Sequence, residues 1–355
     1  MQKCIALFLT QKPPININME SHVPYYLKHQ YNLYDRTPKT GITNICNIPE
    51  KTLTIDNQGN CLLCVCDGWL PISVGHIMNF NSLEEIWQTD LAKRIQKDVA
   101  DKKYTWCSVD YCGIKNMNKV MPHYYISINI DESCNLQCPT CRSSFMNFTN
   151  GKIYENKLAW ANHIIKLIED FQKTATIAIS GNGDPFASLI YRPLLMSIKP
   201  RDEHRYRVMT NGLLLKKLLT KTSIYNNIEE YSISIDAGDA ETYEKVRLRG
   251  KWDNLLENLN FLKEKLKDKN KFVNLNFCLH KENLSSLLNF VKLVEKYEWI
   301  GTIHPMENWG TINNFNQENI LRSDHHLFGE AVKKLKIASN SKRILLQGIL
   351  KELIN

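Results

Sequence analysis

From Tyr124 to His304 the chain alternates short β-branched runs with longer stretches whose apolar residues recur every three to four positions. Few architectures admit that alternation. A strand followed by an amphipathic helix, repeated, makes neighbouring strands parallel and lays the helices on the sheet. Strands are predicted at Tyr124–Ile130, Ala175–Ser180, Tyr206–Thr210, Tyr231–Ile235, Phe272–Cys278 and Ile300–His304, with helices at Asn156–Phe171, Asp253–Leu266 and Leu284–Tyr297. Six such strands fit an open doubly wound sheet or a closed or partial barrel, and strand count does not separate these.

Before Tyr124 the texture changes. Pro13, Pro14, Pro24, Pro38, Pro49 and Pro71 interrupt the chain, and one convincing helix starts at Ser82, which forms a capping box with Glu85, and runs to about Val99. This reads as a small separate domain over residues 1–118, followed by the βα repeat over 119–310 and a polar helical extension over 311–355. Nine of the eleven cysteines fall between Cys46 and Cys141, leaving Cys4 and Cys278 outside as ordinary small apolar residues. A chain of 355 residues with 43% hydrophobic content can bury a core without disulfide staples. The apolar run Cys4–Leu9 is too short for a membrane span and has no signal-peptide flanks, so a cytoplasmic location without a membrane partner is expected and the thiols stay reduced. The net charge of +8 has its densest contribution at Lys263–Lys271. That run is a solvated helix face rather than a nucleic-acid surface.

The segment Asp131-Glu-Ser-Cys134-Asn-Leu-Gln-Cys138-Pro-Thr-Cys141-Arg142 follows the first strand of the repeat directly. In βα folds functional groups gather at the carboxyl ends of strands, so the three thiols sit at the mouth. Three thiolates in so short a loop can hold three corners of an iron-sulfur cubane and leave the fourth iron open, whereas a closed structural site uses four ligands. A zinc site completed by a residue such as His123, or a chance grouping of buried thiols, is the alternative.

Further motifs follow at strand ends. Ser180-Gly181-Asn-Gly183-Asp184-Pro185 closes the second strand, and it has neither the spacing of a dinucleotide loop nor a phosphate-binding lysine. Thr210-Asn211-Gly212 closes the third. Ser232-Ile-Ser234-Ile-Asp236-Ala ends the fourth, with Thr242-Tyr-Glu-Lys-Val-Arg247 beyond it. In this order the motifs resemble the radical S-adenosylmethionine (radical SAM) superfamily, from about Pro122 to Trp309. The resemblance implies an α/β fold with a partial (β/α)6 TIM-like barrel. It also implies a [4Fe-4S] cluster on Cys134, Cys138 and Cys141 that cleaves S-adenosylmethionine reductively to a 5′-deoxyadenosyl radical. Gly181, Gly183, Asp184 and Pro185 then match the motif at the cofactor's amino group, Ser234 and Asp236 its ribose-contacting strand end, and Arg247 its carboxylate. Asp236 reads equally as a turn cap. Two departures stand out: Thr140 replaces the aromatic residue common before the last cysteine, and Asp184 replaces Glu.

The amino-terminal cysteines form a second pattern: Cys46, then a Gly59 turn leading into Cys61-Leu-Leu-Cys64-Val-Cys66, then the Ser82-Leu-Glu-Glu-Ile-Trp87 helix, and finally Cys107 and Cys112. It resembles the SPASM or twitch domains that hold auxiliary iron-sulfur clusters, here as a small cysteine-rich α+β domain placed before the barrel instead of after it. By that resemblance Cys46, Cys64, Cys107 and Cys112 ligate one auxiliary [4Fe-4S] cluster, Cys66 is the alternate to Cys64, and Cys61 has less claim. Structural zinc on the same thiols remains the alternative. The family implies a peptide or protein side chain as substrate, for oxidation, cross-linking or epimerisation, with a sugar or small metabolite as the second choice. It also implies an electron donor such as flavodoxin or ferredoxin. An iron-sulfur electron carrier and a zinc-stabilised binding module are the non-catalytic readings, and the motifs at Gly183 and Arg247 argue against a plain carrier.

Overall fold

The computed structural model describes residues 37–65, 70–142, 144–181, 183–267, 269–306 and 315–354. They divide between two units: Met1–Asp131, Phe148–Gly181 and Ile190–Tyr206 form the first, and Glu132–Asn147, Asn182–Leu189 and Arg207–Asn355 the second.

In the first unit β1 (Thr52–Ile55) and β2 (Asn60–Leu62) form an antiparallel hairpin that sets Ile55 opposite Cys61. The turn is fixed by Asp56, whose carboxylate accepts the N–H groups of Gln58 and Asn60 at 2.9 and 2.8 Å. Gly59 has φ +80°, and a Cβ there would come within 2.4 Å of His76 Nε2, so both conformation and space require glycine. β3 (Ser73–His76) adds antiparallel to β2. On its other edge β1 runs parallel to β4 (Tyr124–Ile128), and β4 runs parallel to β5 (Ala175–Ile179). The hairpin that carries Cys61 is therefore continuous with the parallel strands through a backbone ladder. Leu53, Ile55, Ile126, Ile128, Ile177 and Ile179 are all 0% exposed, and burial of each such side chain contributes about 1.5–3 kcal/mol. The helix Gly151–Asp170 buries Ala161, Ile164, Leu167 and Ile168. It starts five residues before Asn156, because its first turn, Gly151–Tyr154, is largely exposed and shows no apolar period.

The helix expected from Ser82 to Val99 is two helices, Leu83–Gln88 and Asp90–Ala100. Thr89 breaks it: its ψ of 151° is extended, and its hydroxyl accepts the Ala92 N–H at 3.2 Å, capping the second helix. Ser82 caps the first through the Glu85 N–H, but the Glu85 carboxylate accepts the N–H of Asn81 rather than of Ser82, so the capping box is half made.

β6 (His204–Thr210) gives its first residues to the first unit and the rest to the second. In the second unit β7 (Ile228–Ser234), β8 (Phe272–Leu279), β9 (Ile300–Pro305) and β10 (Ile344–Leu346) pair in chain order, each parallel to the next. The crossover helices Trp252–Leu266 and Leu287–Tyr297 bury Leu255, Leu259 and Leu262 and Leu287, Phe290 and Val294 respectively. Strands in chain order with helical crossovers give the α/β partial-barrel arrangement. β10 lies in the segment expected to hold only a loop and helices. Three residues with a single exposed position show no period to read.

Candidate functional site

The triad lies in the second unit, on the loop that follows β4. The loop is closed by Cys134 N–H donating to Met146 O at 2.9 Å and tied down by Gln137 N–H donating to Leu248 O at 3.1 Å. Cys138 O accepts from the N–H groups of both Cys141 and Arg142, which curls the last two cysteines into one turn. Cys138 is buried, and Cys134 and Cys141 are partly exposed.

Each of the three sulfurs has its own side-chain N–H donor. Asn211 Nδ2 points to Cys134 Sγ at 3.8 Å, Arg247 Nη1 to Cys138 Sγ at 3.6 Å and Arg142 Nη2 to Cys141 Sγ at 3.6 Å. Burial, with the Asp184 carboxylate nearby, pushes the Cys134 thiol up to about 12. Burial raises Cys138 as well, against the pull of the Arg247 guanidinium. These thiols hold their protons at neutral pH until a metal displaces them. The donor set fits a cluster: three thiols on one loop, with cationic and amide N–H groups turned toward atoms that become negative on ligation.

Around the loop the predicted cofactor residues fall at strand ends. A Cβ on Gly183 would lie 2.3 Å from Ser133 O, so the turn packs directly on the cysteine loop, and Asp184 N–H donates to the same carbonyl at 2.8 Å. Asp184 is 1% exposed. One of its oxygens accepts from the N–H groups of Phe186 and Ala187, and the other from Thr210 Oγ1 and the Asn211 N–H, both at 2.7 Å. Burial raises its carboxyl against these four bonds, which hold the charged form. Pro185 is buried beside it. Ser234 ends β7, in register with Asn276. Asp236, at φ +58°, accepts the Cys278 N–H at 2.8 Å and pairs with Arg247 at 2.7 Å. The Arg247 Nε also donates to Ile235 O at 3.4 Å. Gly181 lies in the first unit, at the end of β5. His123, the alternative metal ligand, hydrogen-bonds through Nε2 to Thr176 Oγ1 at 3.0 Å.

Arg142 and the sulfur contact of Asn211 escaped the sequence reading. The only signals were that Arg142 directly follows the third cysteine and that Asn211 stands in a turn at a strand end.

The second thiol set lies in the first unit. Cys46, Cys107 and Cys112 pack against Ile42, Val99, Tyr104, Val109 and Ile114, and Cys107 interacts electrostatically with Cys64, Cys112 and Cys46. Three thiols therefore share one apolar cluster, with Cys64 within electrostatic reach of Cys107. Burial, with Cys112 close by, pushes Cys46 up to about 11, and burial raises Cys107 as well. Cys46 is fixed by a bridge to Lys119, and Cys112 ends a short helix closed by Gly113 at φ +70°. Cys61 is 0% exposed, and its charged neighbour is Asp56 rather than another thiol. Cys66 lies outside the described residues. Among the described residues no three His, Cys, Asp or Glu side chains are gathered tightly enough to grip one metal ion. A cubane needs a looser set, because each thiolate takes a different iron.

The sequence model of the Radical SAM superfamily matches residues 128–294, and that of the SPASM iron-sulfur cluster-binding domain matches residues 46–113. Molybdenum cofactor biosynthesis protein 1 of Drosophila melanogaster is 26% identical over 141 residues, 39% of this chain and 24% of its own length. The chain thus spans about a quarter of that curated relative. Among solved structures, Streptococcus suis SuiB bound to the precursor peptide SuiA is similar over 73% of this chain and 63% of its own, at 14% identity and a TM-score of 0.43. The hydrogenase maturase HydG of Carboxydothermus hydrogenoformans is similar over 65% of this chain and 56% of its own, at 17% identity and a TM-score of 0.39. With the two domain matches come S-adenosylmethionine and a [4Fe-4S] cluster as cofactors, and auxiliary iron-sulfur binding in the SPASM region. The chain therefore carries a radical SAM domain over residues 128–294, preceded by a SPASM domain over residues 46–113.

Proposed function

We propose that the chain cleaves S-adenosylmethionine reductively at a [4Fe-4S] cluster on Cys134, Cys138 and Cys141 and modifies a peptide or protein side chain by oxidation, cross-linking or epimerisation. The observation that carries the reading is the triad itself: three thiols on one loop, each with an N–H donor to sulfur. When bound, the cluster and S-adenosylmethionine together supply a 5′-deoxyadenosyl radical, which takes a hydrogen atom from the substrate.

The protein's part is to hold and orient. The three thiols give up their protons to become ligands. Arg247 pairs with the cofactor's carboxylate through the N–H groups left over from Ile235 O, Cys138 Sγ and Asp236, since a guanidinium has five. Asp184 shapes the Gly183 turn with its four hydrogen bonds. By the family's motifs Gly181, Gly183 and Pro185 match the segment at the cofactor's amino group, and Ser234 and Asp236 its ribose-contacting strand end. Cys46, Cys64, Cys107 and Cys112 hold the auxiliary [4Fe-4S] cluster, which takes up an electron from the substrate or anchors it.

In this reading residues 1–118 are the auxiliary-cluster domain, 119–310 the catalytic barrel and 311–355 an extension. A low-potential carrier such as flavodoxin or ferredoxin supplies the electron. No helix among the described residues is long and apolar enough to cross a bilayer, and the reducing cytoplasm, where we place the protein, keeps its cysteines as thiols.

Replacing Cys134, Cys138 and Cys141 together by Ala should abolish 5′-deoxyadenosine formation under dithionite while iron stays at the amino-terminal set. Continued cleavage by that variant would remove the triad from the chemistry. For the substrate class, turnover with a deuterated peptide should carry deuterium into 5′-deoxyadenosine. Transfer from a sugar or small metabolite instead would replace the peptide assignment.

A further inference from the structure

We infer that Arg142 is a positioning residue that raises the reduction potential of the triad cluster, acting as a fixed cation and N–H donor at Cys141. The inference rests on the assignment of the cluster to Cys134, Cys138 and Cys141.

Arg142 is 9% exposed. Its Nη1 donates to Glu132 O at 2.7 Å, which anchors the guanidinium to the strand-proximal end of the loop, and its Nη2 donates to Cys141 Sγ at 3.6 Å. The planar fork thus bridges Glu132 and the last cysteine of the loop, and Cys134, Cys138 and Cys141 all lie within its electrostatic reach. The other two donors differ. Asn211 is neutral and shares its amide with Asn135 Oδ1 at 2.8 Å, and Arg247 faces the Asp236 carboxylate.

A cluster that accepts one electron from a low-potential donor gains one negative charge. A cation held beside its ligand sulfurs favours the reduced form, and N–H bonds to those sulfurs act in the same direction. Burial strengthens both effects relative to water.

The test is an anaerobic redox titration of the reconstituted full-length protein, following the electron-paramagnetic signal that changes on addition of S-adenosylmethionine. In Arg142→Gln the reduced-to-oxidised ratio at a fixed potential should fall about tenfold, a midpoint about 59 mV more negative for one electron. Arg142→Lys keeps the charge but cannot reach Glu132 O and Cys141 Sγ together, so its midpoint should fall between the two. Equal midpoints in all three proteins overturn the inference. If the Gln variant does not retain its cluster, wild type against Lys decides, and no fall in Lys overturns it. A wild-type protein with no signal responsive to S-adenosylmethionine would overturn the cluster assignment itself, and the inference with it, an outcome distinct from equal midpoints.

Discussion

Arg247 and Asp236 are nearly dry, at 11% and 9% side-chain exposure, and stand 2.7 Å apart. Removing one member of such a pair leaves the other charge buried, a loss of about 3–5 kcal/mol. Arg247→Ala should therefore lower the melting temperature and weaken S-adenosylmethionine binding about ten- to a hundredfold, from loss of a charged hydrogen bond. Adding Asp236→Asn should recover stability but not affinity. Calorimetry and cofactor titration on the two variants separate these effects, and unchanged affinity in Arg247→Ala would take the residue out of the cofactor site. Residues of this kind mark the limit of what sequence shows. The triad was legible because its ligands lie within eight positions. Of its sulfur donors only Arg142 is on the same loop; Asn211 and Arg247 come from beyond other strands, and no local pattern links them to it. For Arg247 the family motif implied a partner in the cofactor's carboxylate, and the fold adds a carbonyl, a sulfur and a carboxylate of the chain itself.

At the scale of elements, the amino-terminal thiols are brought together by a strand bridge at Cys46, the segment after the Gly59 hairpin at Cys64, and the turn and short helix that carry Cys107 and Cys112. Reconstituted wild type should bind about eight irons, four per cubane, and the Cys107→Ala, Cys112→Ala double variant about four. Four irons plus one zinc in wild type would make this region a structural zinc module and remove its electron-acceptor role. The turn of the hairpin was readable at Gly59 through the resemblance to SPASM domains. The break at Thr89 was not, because Leu83, Ile86 and Trp87 and then Ile95 and Val99 keep an apolar period across it, and only the extended backbone of one threonine reveals two helices. β10 was invisible for the opposite reason, being too short to show any period.

For the molecule as a whole, the order of strands and helices from Tyr124 to His304 was readable because each βα unit states its own period. What the sequence did not convey is how its two regions join. The prolines and clustered cysteines suggested a small domain set apart, while the fold pairs β1 with β4 residue for residue, Thr52 to Tyr125 through Ile55 to Ile128. That pairing gives the amino-terminal region a protective task besides any metal it holds. A chain begun at residue 119 would leave β4 with a bare row of N–H and C=O groups beside Ile126 and Ile128, the kind of edge onto which other chains add. Such a shortened protein should come out of cells mostly in inclusion bodies, and a variant of the full chain with Cys46, Cys64, Cys107 and Cys112 all changed to Ser should stay soluble by the same fractionation. Equal solubility of the shortened and full chains would show that β4 finds other cover. The hairpin, which leaves the ribosome before β4, is then the first strand's chaperone as well as its neighbour.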